Sequence, residues 1–572
     1  MAWDLNQLFS DMNSQAFNAA MNKLNEDIIE TDNLIQAVTL NDVKTFSKAL
    51  IGYQNLSVNF EKIDGYINLI LMLDASNERA IGLNQQLRQK YSSIAILENS
   101  LVYKVTNKML EKMEGDPLSS YVHKLLVHRN QRGTKEQEEL IAQTAAFSSG
   151  AWTTLHKLNL SKINLSVKGG TSSLSQAQAK LLNPNSEVRR TGYYEEIEIC
   201  KTASQISTFA INSIKAENIM TARIRGFNNV LQMCLENDGI NVAFLEDTLK
   251  VARGLTPLLL SCFRHKEQKI GVDSIKWYDA SFSTPDAQKD LLSIDYPAAF
   301  NIIGTACNGF SRKASEMLKR SQRNNYIDHE KRTNKRTGAC CTSIYADNAN
   351  YVLLTYDGKY KNLVSLAHEL GHSYHHMLLN ENQYLNTFSP VPINEMVAIF
   401  FELVVADELI RVQPEYKTVV DEAIINSMFS TFLDVLSRFN FEHSFFSHRL
   451  TGFVTADNIC NIMRTAQTQI YGDTSDVETY NPYQWVSKPH YYYANRPYYN
   501  YPYILGRLGS YHLYYRYINE GASFVKELES LLLDSGRRTV QQTMEYLGIA
   551  GVNMWNNSLM VIDTFVRRYL NE

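Results

Sequence analysis

Apolar side chains recur mostly three and four positions apart along this chain of 572 residues, which is the spacing of one face of an α-helix. The pattern is clearest from Leu83 to Met113 and from Phe429 to Phe446, and neither segment contains proline. The chain has only 26 glycines and 12 prolines, so few turns are expected. These patterns predict a mainly α protein.

Alternation of apolar and polar residues, which indicates a β-strand, is rare in the chain. The clearest strand candidates are Ser343–Tyr345 and Tyr351–Tyr356, the second of which is followed by the turn residues Asp357 and Gly358. We therefore expect one small sheet just before position 360. The segment Val167–Ser175, VKGGTSSLS, is the best candidate for a linker, and a surface loop inside one domain is the alternative.

Composition and charge exclude several classes of protein. The chain has 56 Lys and Arg against 60 Asp and Glu, and a net charge of −4 does not suit binding of a nucleic acid by the whole chain. No apolar stretch approaches the roughly 20 residues that cross a bilayer, and the first residues do not resemble a secretory signal. Seven cysteines without a C-x-x-C pair argue against a disulfide framework and a cysteine-zinc site. We expect a cytoplasmic protein with no membrane or nucleic-acid partner.

One stretch, from Arg312 to Arg336, is locally basic, with nine Lys or Arg residues against three acidic ones. A solvated helix face is the interpretation that such a run favours. A patch that holds a substrate carboxylate is the functional alternative.

The segment Lys361–Asn380 contains the motif H-E-x-x-H at His368, Glu369 and His372. Its apolar residues share one helical face, and His368, His372 and His375 fall within an arc of roughly 60° on the opposite side, at about 100° per residue. Residues i and i+4 are neighbours on a helix, so two imidazoles can bind one metal ion, while Glu369 points towards a water held there. Chance produces about 0.03 such motifs in a chain of this composition, so the motif predicts a zinc-binding helix.

A catalytic zinc ion usually has three protein ligands and one water, so a third ligand is needed. The extended motif H-E-x-x-H-x-x-G-x-x-H is absent, because positions 375 and 378 are His and Leu. Glu395 lies 23 residues after His372 and begins an apolar helical segment that ends with Glu402. Two carboxylates on a buried helix are costly without a cation or hydrogen-bond donors, so we expect Glu395 to be the third ligand and Glu402 to support the site. The alternatives are an acid stabilised by the helix dipole for Glu395 and a structural buried pair for Glu402.

A second region of interest is Lys488–Gly509, which has seven tyrosines among the 13 positions from 491 to 503. Packing is the commoner role for any one of these rings. Amide hydrolysis nevertheless needs hydrogen-bond donors directed at the developing oxyanion, and His and Tyr side chains are suitable donors. Tyrosines can also line a groove that holds an extended peptide.

Several segments carry a family resemblance over nearly the whole chain. They are Trp3-Asp4-Leu5, Trp277-Tyr278-Asp279, Lys335–Ala339 followed by Tyr351–Gly358, the HELGH helix with His375, the E-x-x-x-x-x-x-E segment Glu395–Glu402, and His490 with the tyrosine pattern Pro497–Gly506. Together they resemble the oligoendopeptidase F branch of the thimet-oligopeptidase family of zinc metallopeptidases. The chain departs from the family where Ala398 replaces a frequent Ser, and where the spacer after His490 is a few residues longer than usual.

The resemblance implies a zincin fold of the gluzincin type. The expected molecule is a two-lobed helical ellipsoid whose deep channel admits short peptides and excludes folded proteins, with the small sheet beside the HExxH helix. We place a helical N-terminal lobe at residues 1–185 and the zinc metallopeptidase catalytic domain at residues 186–572.

The resemblance also implies that His490 and Tyr501, together with Tyr498 or Tyr499, bind the substrate carbonyl or oxyanion. One Zn²⁺ per chain is expected on His368, His372 and Glu395. His375 and Glu402 are expected near the metal centre or the substrate. Substrate is expected to pair as an extra strand along Tyr351–Thr355. Tyr351 and Gly338 are likewise expected near the metal centre or the substrate.

The hypothesis is a zinc-dependent endopeptidase for short peptides, with Glu369 as the general base. The nearest alternative is a chain-end peptidase with the same motif, of the carboxypeptidase Taq or dipeptidyl-carboxypeptidase type. A zinc-stabilised peptide-binding scaffold without activity is a further alternative. The sequence leaves the oligomeric state, the cleavage specificity and the metal loaded in the cell open.

Overall fold

The computed structural model describes residues 3–145, 147–167, 170–280, 284, 293–472 and 476–571. Its architecture is mainly α-helical, as predicted. The α-helices of the described residues are α1 Gln15–Gln36, α2 Val43–Leu73, α3 Glu78–Lys104, α4 Asn107–Lys112, α5 Ser119–Asn130, α6 Lys135–Ala145, α7 Ser149–Lys162, α8 Leu174–Lys180, α9 Ser186–Ile224, α10 Val230–Asp238, α11 Val242–Gly254, α12 Thr256–Ile270, α13 Tyr296–Phe310, α14 Arg312–Arg323, α15 Tyr360–Leu379, α16 Val391–Val412, α17 Lys417–Phe429, α18 Val435–Arg449, α19 Ala456–Tyr471, α20 Gln484–Ser487, α21 Tyr501–Glu520, α22 Ala522–Asp534, α23 Val540–Tyr546 and α24 Asn556–Leu570.

The strands of the described residues form two small sheets. They are β1 Asn164–Val167, β2 Gly170–Ser173, β3 Ile327–Asp328, β4 Cys340–Ile344 and β5 Ala349–Leu353. β1 and β2 form an antiparallel hairpin. The second sheet has the order β3-β5-β4, with β3 parallel and β4 antiparallel to β5.

The chain divides into two compact units, each built from three segments. The first unit comprises Met1–Arg132, Leu292–Pro414 and His512–Ile549, and the second comprises Gly133–Leu291, Glu415–Tyr511 and Ala550–Glu572. The division into an N-terminal lobe at residues 1–185 and a catalytic domain at residues 186–572 stays a prediction.

The three-stranded sheet of the first unit connects the start of the chain to α15. The indole N–H of Trp3 donates to the backbone oxygens of Tyr326 at 3.0 Å and Val352 at 3.1 Å. On the other side, the Asn350 side-chain amide donates to the Ser373 carbonyl of α15 at 3.3 Å. The predicted small sheet beside the HExxH helix is therefore confirmed.

The prediction that substrate pairs along Tyr351–Thr355 is wrong. β5 is bordered by β3 and β4, so its main-chain groups are already paired. The Tyr351 side chain is fully buried, with ring centroids 5.6 Å from Trp3 and 4.9 Å from Tyr326, so it cannot contact a substrate. Among the described residues, β3 and β4 are the two edge strands of this sheet, and β4 is the longer of them. Gly338, two residues before β4, has a φ of 92°, which glycine adopts without strain.

Part of the basic run is structural. The buried Lys335 ammonium donates to the backbone oxygens of Asp328 at 3.1 Å, Glu330 at 2.7 Å and Leu354 at 2.7 Å, and it pairs with the Asp328 carboxylate at 3.2 Å. Its donors are satisfied, so Lys335 is not available to a substrate carboxylate. Arg312, at the start of α14, is 92% exposed, as expected for a solvated face.

The predicted linker at Val167–Ser175 is wrong, because its described residues belong to regular structure in the second unit. Val167 ends β1, and Gly170–Ser173 form β2. The Ser173 side chain then caps α8 in a capping box with Gln176. Few apolar residues mark this hairpin, because only one residue of its two strands, Ser172, is buried.

The second unit also contains the helical segment predicted around Phe429–Phe446. α17 and α18 are joined by a π-helical turn at Ser430–Asp434. Apolar residues of α9, α18 and α19 share a buried cluster with Trp485 and Tyr491. Within the described ranges, no helix has the length and apolar character needed to cross a membrane.

Candidate functional site

Two helices of the first unit, α15 and α16, bring the predicted metal ligands together. His368 and His372 lie one turn apart on α15, as their spacing requires. Gly371 faces α16 directly, since a Cβ at this position would lie 2.8 Å from Ala398 Cα and 2.9 Å from Phe401 Cβ. The small residues at 371 and 398 therefore allow a close approach of the two helices, which places the carboxylates of α16 beside the histidines.

His368, His372 and Glu395 form a candidate metal centre. One ligand atom from each residue lies within 4.8 Å of the other two. The two Nε2 atoms are 3.2 Å apart, and His368 Nε2 lies 3.8 Å from Glu395 Oε2. Ligands about 2.0–2.1 Å from a tetrahedral zinc ion lie about 3.4 Å from one another, and two imidazoles with one carboxylate are a usual zinc donor set. The residues therefore fit zinc.

Glu402 orients the first histidine of this centre. Its Oε1 lies 2.6 Å from His368 Nδ1, which leaves His368 Nε2 directed towards His372 and Glu395. Burial opposes protonation of His368, but the hydrogen bond and charge of Glu402, together with the charges of Glu395 and Glu369, outweigh it and raise the pKa of His368 to about 9. Burial and the neighbouring His368 instead hold the pKa of His372 well below its usual value. The carboxylates thus favour a positive charge at this point, as a cation site requires.

Glu369 lies beside the centre and is only 7% exposed. Burial raises the pKa of its carboxyl to about 7, while the nearby His368 and a hydrogen bond from the Cys341 backbone act in the opposite direction. The contact with Cys341 places this carboxylate next to the edge strand β4.

His375 lies elsewhere in the interior of the first unit. Its side chain is fully buried, and its Nε2 lies 2.8 Å from Ser535 Oγ. The ring has no exposed surface and so cannot contact a substrate, while the other expected place of His375, near the metal centre, stays a prediction. The sequence pattern could not show that Ser535 would cover this part of the helix.

The second unit contains the predicted histidine and tyrosines. The half-buried His490 ring stacks on Tyr499, with centroids 5.2 Å apart and planes 23° apart. Tyr493 and Tyr503 lie at centroid distances of 5.6 and 6.2 Å from His490. Arg438 Nη1 lies 3.1 Å from His490 Nδ1. Burial, and then the Arg438 charge, lower the pKa of His490 to about 4, so its imidazole is neutral at pH 7.

Tyr498 and Tyr501 are both buried, but their hydroxyl groups have different partners. Tyr498 has a φ of 56°, a left-handed conformation that bulky residues rarely adopt, and its hydroxyl lies 3.2 Å from His443 Nδ1. Tyr501 begins α21, and its hydroxyl donates to the Asp238 carboxylate. Both tyrosines line a cavity of about 470 Å³ within the second unit, together with Arg496 and Asp238.

A model of peptidase family M3 matches residues 180–545, which is more than half of the chain. The chain belongs to peptidase family M3. This M3 family member is 23% identical over 510 residues to oligopeptidase PepF of Bacillus subtilis, covering 84% of this chain and 73% of the relative. It is 25% identical over 429 residues to the group B oligopeptidase PepB of Streptococcus agalactiae, covering 72% of this chain and 69% of the relative.

Solved structures of low sequence identity share the fold. A protein of Chlamydophila abortus superposes with a TM-score of 0.81 at 17% identity, covering 100% of this chain and 98% of that one. Oligoendopeptidase-F of Enterococcus faecium superposes with a TM-score of 0.69 at 15% identity, covering 97% of this chain and 98% of that one. The helical architecture of this M3 family member is thus found in both proteins.

Sequence reasoning missed several polar groups that contact the candidate residues of this M3 peptidase. Arg438 bonds His490, the Glu442 carboxylate accepts the Tyr498 backbone N–H at 3.0 Å, and Asp238 accepts the Tyr501 hydroxyl. The signal for the first two was present, because residues 438 and 442 are charged within the apolar helix around Phe429–Phe446. Two charges one turn apart on a buried helix indicate partners from other elements.

Proposed function

We propose that this M3 family member is a zinc-dependent endopeptidase that hydrolyses internal bonds of short peptides. The observation that carries the proposal is the group of His368, His372 and Glu395 with the buried Glu369 beside it. Its relatives include proteins named oligopeptidase and oligoendopeptidase F, which supports short peptides as the substrate class.

In this proposal His368, His372 and Glu395 hold the zinc ion, and Glu402 keeps the His368 imidazole in place. Zinc bound there would supply a Lewis acid that polarises the scissile carbonyl and lowers the pKa of water. The Glu369 carboxylate accepts a proton from the attacking water and delivers it to the leaving amine nitrogen. Glu369 suits this task because it lies against the metal ligands without being one of them.

We propose that the substrate main chain pairs with β4 rather than with β5. β4 is the longer of the two edge strands of the described sheet, and the backbone of Cys341 in this strand contacts Glu369, the proposed general base. Pairing through main-chain groups tolerates many peptide sequences. Gly338 stays a candidate for substrate contact, since it precedes this strand.

We further propose that His490 donates a hydrogen bond to the developing oxyanion, with a tyrosine as a second donor. Tyr501 is the tyrosine that the family resemblance favours, although its hydroxyl proton is directed to Asp238 here. Tyr499 stacks on His490, and Tyr498 is fixed by packing and by His443. Tyr501 and Tyr499 are therefore the first two to test, followed by Tyr498.

The cytoplasmic location expected from the sequence is part of the proposal. All seven cysteines are free thiols in the structure, which suits a reducing compartment.

The test is cleavage of an internally quenched peptide of about ten residues that is blocked at both ends, by the zinc-loaded protein. Mass spectrometry of the products then locates the bond that is cut. Internal cleavage of the blocked peptide supports the endopeptidase. Cleavage only of the same peptide with free ends would replace the endopeptidase with a chain-end peptidase. No cleavage of the blocked or of the free peptide would favour a peptide-binding scaffold.

A further inference from the structure

Helix α18 and the π-helical turn before it carry three charged residues at intervals of four. Asp434 closes the π-helical turn, and Arg438 and Glu442 follow within α18. Arg438 is 6% exposed and Glu442 is 1% exposed, so both are buried. Residues four apart share one face of a helix, and buried charges require specific partners. A π-helical turn within a long helix is frequently found at a functional site.

Arg438 connects the partly buried carboxylate of Asp434 to the candidate donor His490. Its Nη2 lies 3.0 Å from Asp434 Oδ2, and its Nη1 lies 3.1 Å from His490 Nδ1. Asp434 is itself fixed, because its Oδ1 accepts a hydrogen bond of 2.8 Å from the Gln484 side chain. The guanidinium is therefore held on one side while it contacts His490 on the other.

The contact determines which nitrogen of His490 carries the proton. A guanidinium has N–H donors and no acceptor, so His490 Nδ1 must accept and cannot be protonated. A neutral imidazole then carries its proton on Nε2. Stacking on Tyr499 holds the ring plane, so Nε2 keeps its direction.

We propose that Arg438 is a positioning residue that keeps His490 as a neutral Nε2–H donor for the reaction. The inference rests on the proposed function, in which His490 donates to the oxyanion. Without Arg438, the proton of a neutral imidazole can occupy either nitrogen, and only one of the two forms can donate from Nε2.

The first test is the tautomer of His490 in the full-length protein labelled with ¹⁵N-histidine, with the NMR signals assigned by comparison with His490→Phe. Wild-type His490 should show the Nε2–H form, and Arg438→Met should show a mixture of both forms. Arg438→Lys should retain the Nε2–H form, because an ammonium is also a donor without an acceptor. An unchanged tautomer in Arg438→Met would overturn the proposal.

The second test is turnover of a blocked peptide by Arg438→Met, His490→Phe and the double variant. Arg438→Met should lower kcat by about 10- to 100-fold, which is less than the effect of losing the whole donor in His490→Phe. In the double variant, Arg438→Met should cause no further loss, because its effect acts through His490. Additive losses would indicate a merely structural role and would overturn the proposal. Arg189→Met is the matched control, because Arg189 also forms a buried ion pair in this unit, with Asp279 at 2.6 Å, and it should leave the tautomer unchanged.

The two tests separate failure of this inference from failure of the proposed function. Full turnover in His490→Phe would remove His490 from the reaction, and Arg438 would lose its proposed purpose with it. Low turnover in His490→Phe together with an unchanged tautomer in Arg438→Met would keep the function and remove Arg438 alone.

Discussion

The candidate metal centre in the first unit and the tyrosine-rich segment in the second hold their side chains by different means. The centre lies on two regular helices, where a four-residue spacing and the contact of Gly371 with Ala398 set the geometry. The segment from His490 to Tyr503 includes irregular backbone and a left-handed Tyr498, and residues distant in sequence fix it. A site on regular helices is encoded locally, whereas a site on irregular backbone depends on partners that only the tertiary structure supplies.

Loss of one metal ligand should have the largest effect on zinc binding and peptidase activity. Glu395→Ala leaves two imidazoles for the metal, so we expect loss of bound zinc and of nearly all peptidase activity. Metal analysis after dialysis and turnover of a blocked peptide are the measurements. Glu408→Ala is the control, because Glu408 lies on the same helix outside the candidate metal centre and forms an ion pair with Arg411. Retention of one zinc per chain in Glu395→Ala would show that the centre is not the one described.

Removal of a donor in the tyrosine-rich segment should have the next largest effect. His490→Phe should lower kcat by about 10²–10³-fold and leave zinc binding intact, because it removes a donor and no ligand. Tyr501→Phe should also lower kcat by orders of magnitude if Tyr501 is the second donor. An unchanged rate in Tyr501→Phe, with reduced stability from the lost bond to Asp238, would assign Tyr501 to packing and direct attention to Tyr499.

A supporting residue of the metal centre should have a smaller effect than a ligand. Glu402→Gln keeps the shape of the side chain and weakens its bond to His368 Nδ1, so we expect zinc affinity to fall by about 10- to 100-fold. Competition with a zinc chelator measures this change. Unaltered zinc affinity would mean that Glu402 serves the fold and not the centre.

The pH dependence of stability should arise in both units. Burial lowers the pKa of His156 in the second unit and of His512 in the first to about 4. An unfolded histidine titrates near 6.5, so the unfolded chain binds more protons below that pH and stability falls towards pH 4. Each histidine should contribute a slope of up to about 1.4 kcal/mol per pH unit in this window.

Urea unfolding between pH 5 and 7 measures this slope, in the wild type and in His156→Gln and His512→Gln. Each variant should show a shallower slope than the wild type below about pH 6.5. A slope that neither substitution changes would assign the acid sensitivity to other groups.

The same contrast explains how much could be predicted from the sequence. The grouping of His368, His372 and Glu395 could be predicted, because helical spacing and the cost of buried carboxylates are local properties. The sequence wrongly predicts a free edge along β5. The strand that covers this edge, β3, has only two residues and shows no periodicity, so its pairing with β5 cannot be seen in the sequence. Arg438 was missed because its contact with His490 joins positions 52 residues apart.

The most direct test of the central claim is the zinc content and turnover of Glu369→Gln beside the wild type. Glu369 is the one proposed catalytic group that lies at the metal centre without binding the metal. The account predicts one zinc per chain in both proteins and turnover below a few per cent of wild type in the variant. A zinc-loaded Glu369→Gln that cleaves the blocked peptide at more than that rate would contradict the assignment of Glu369 as the general base.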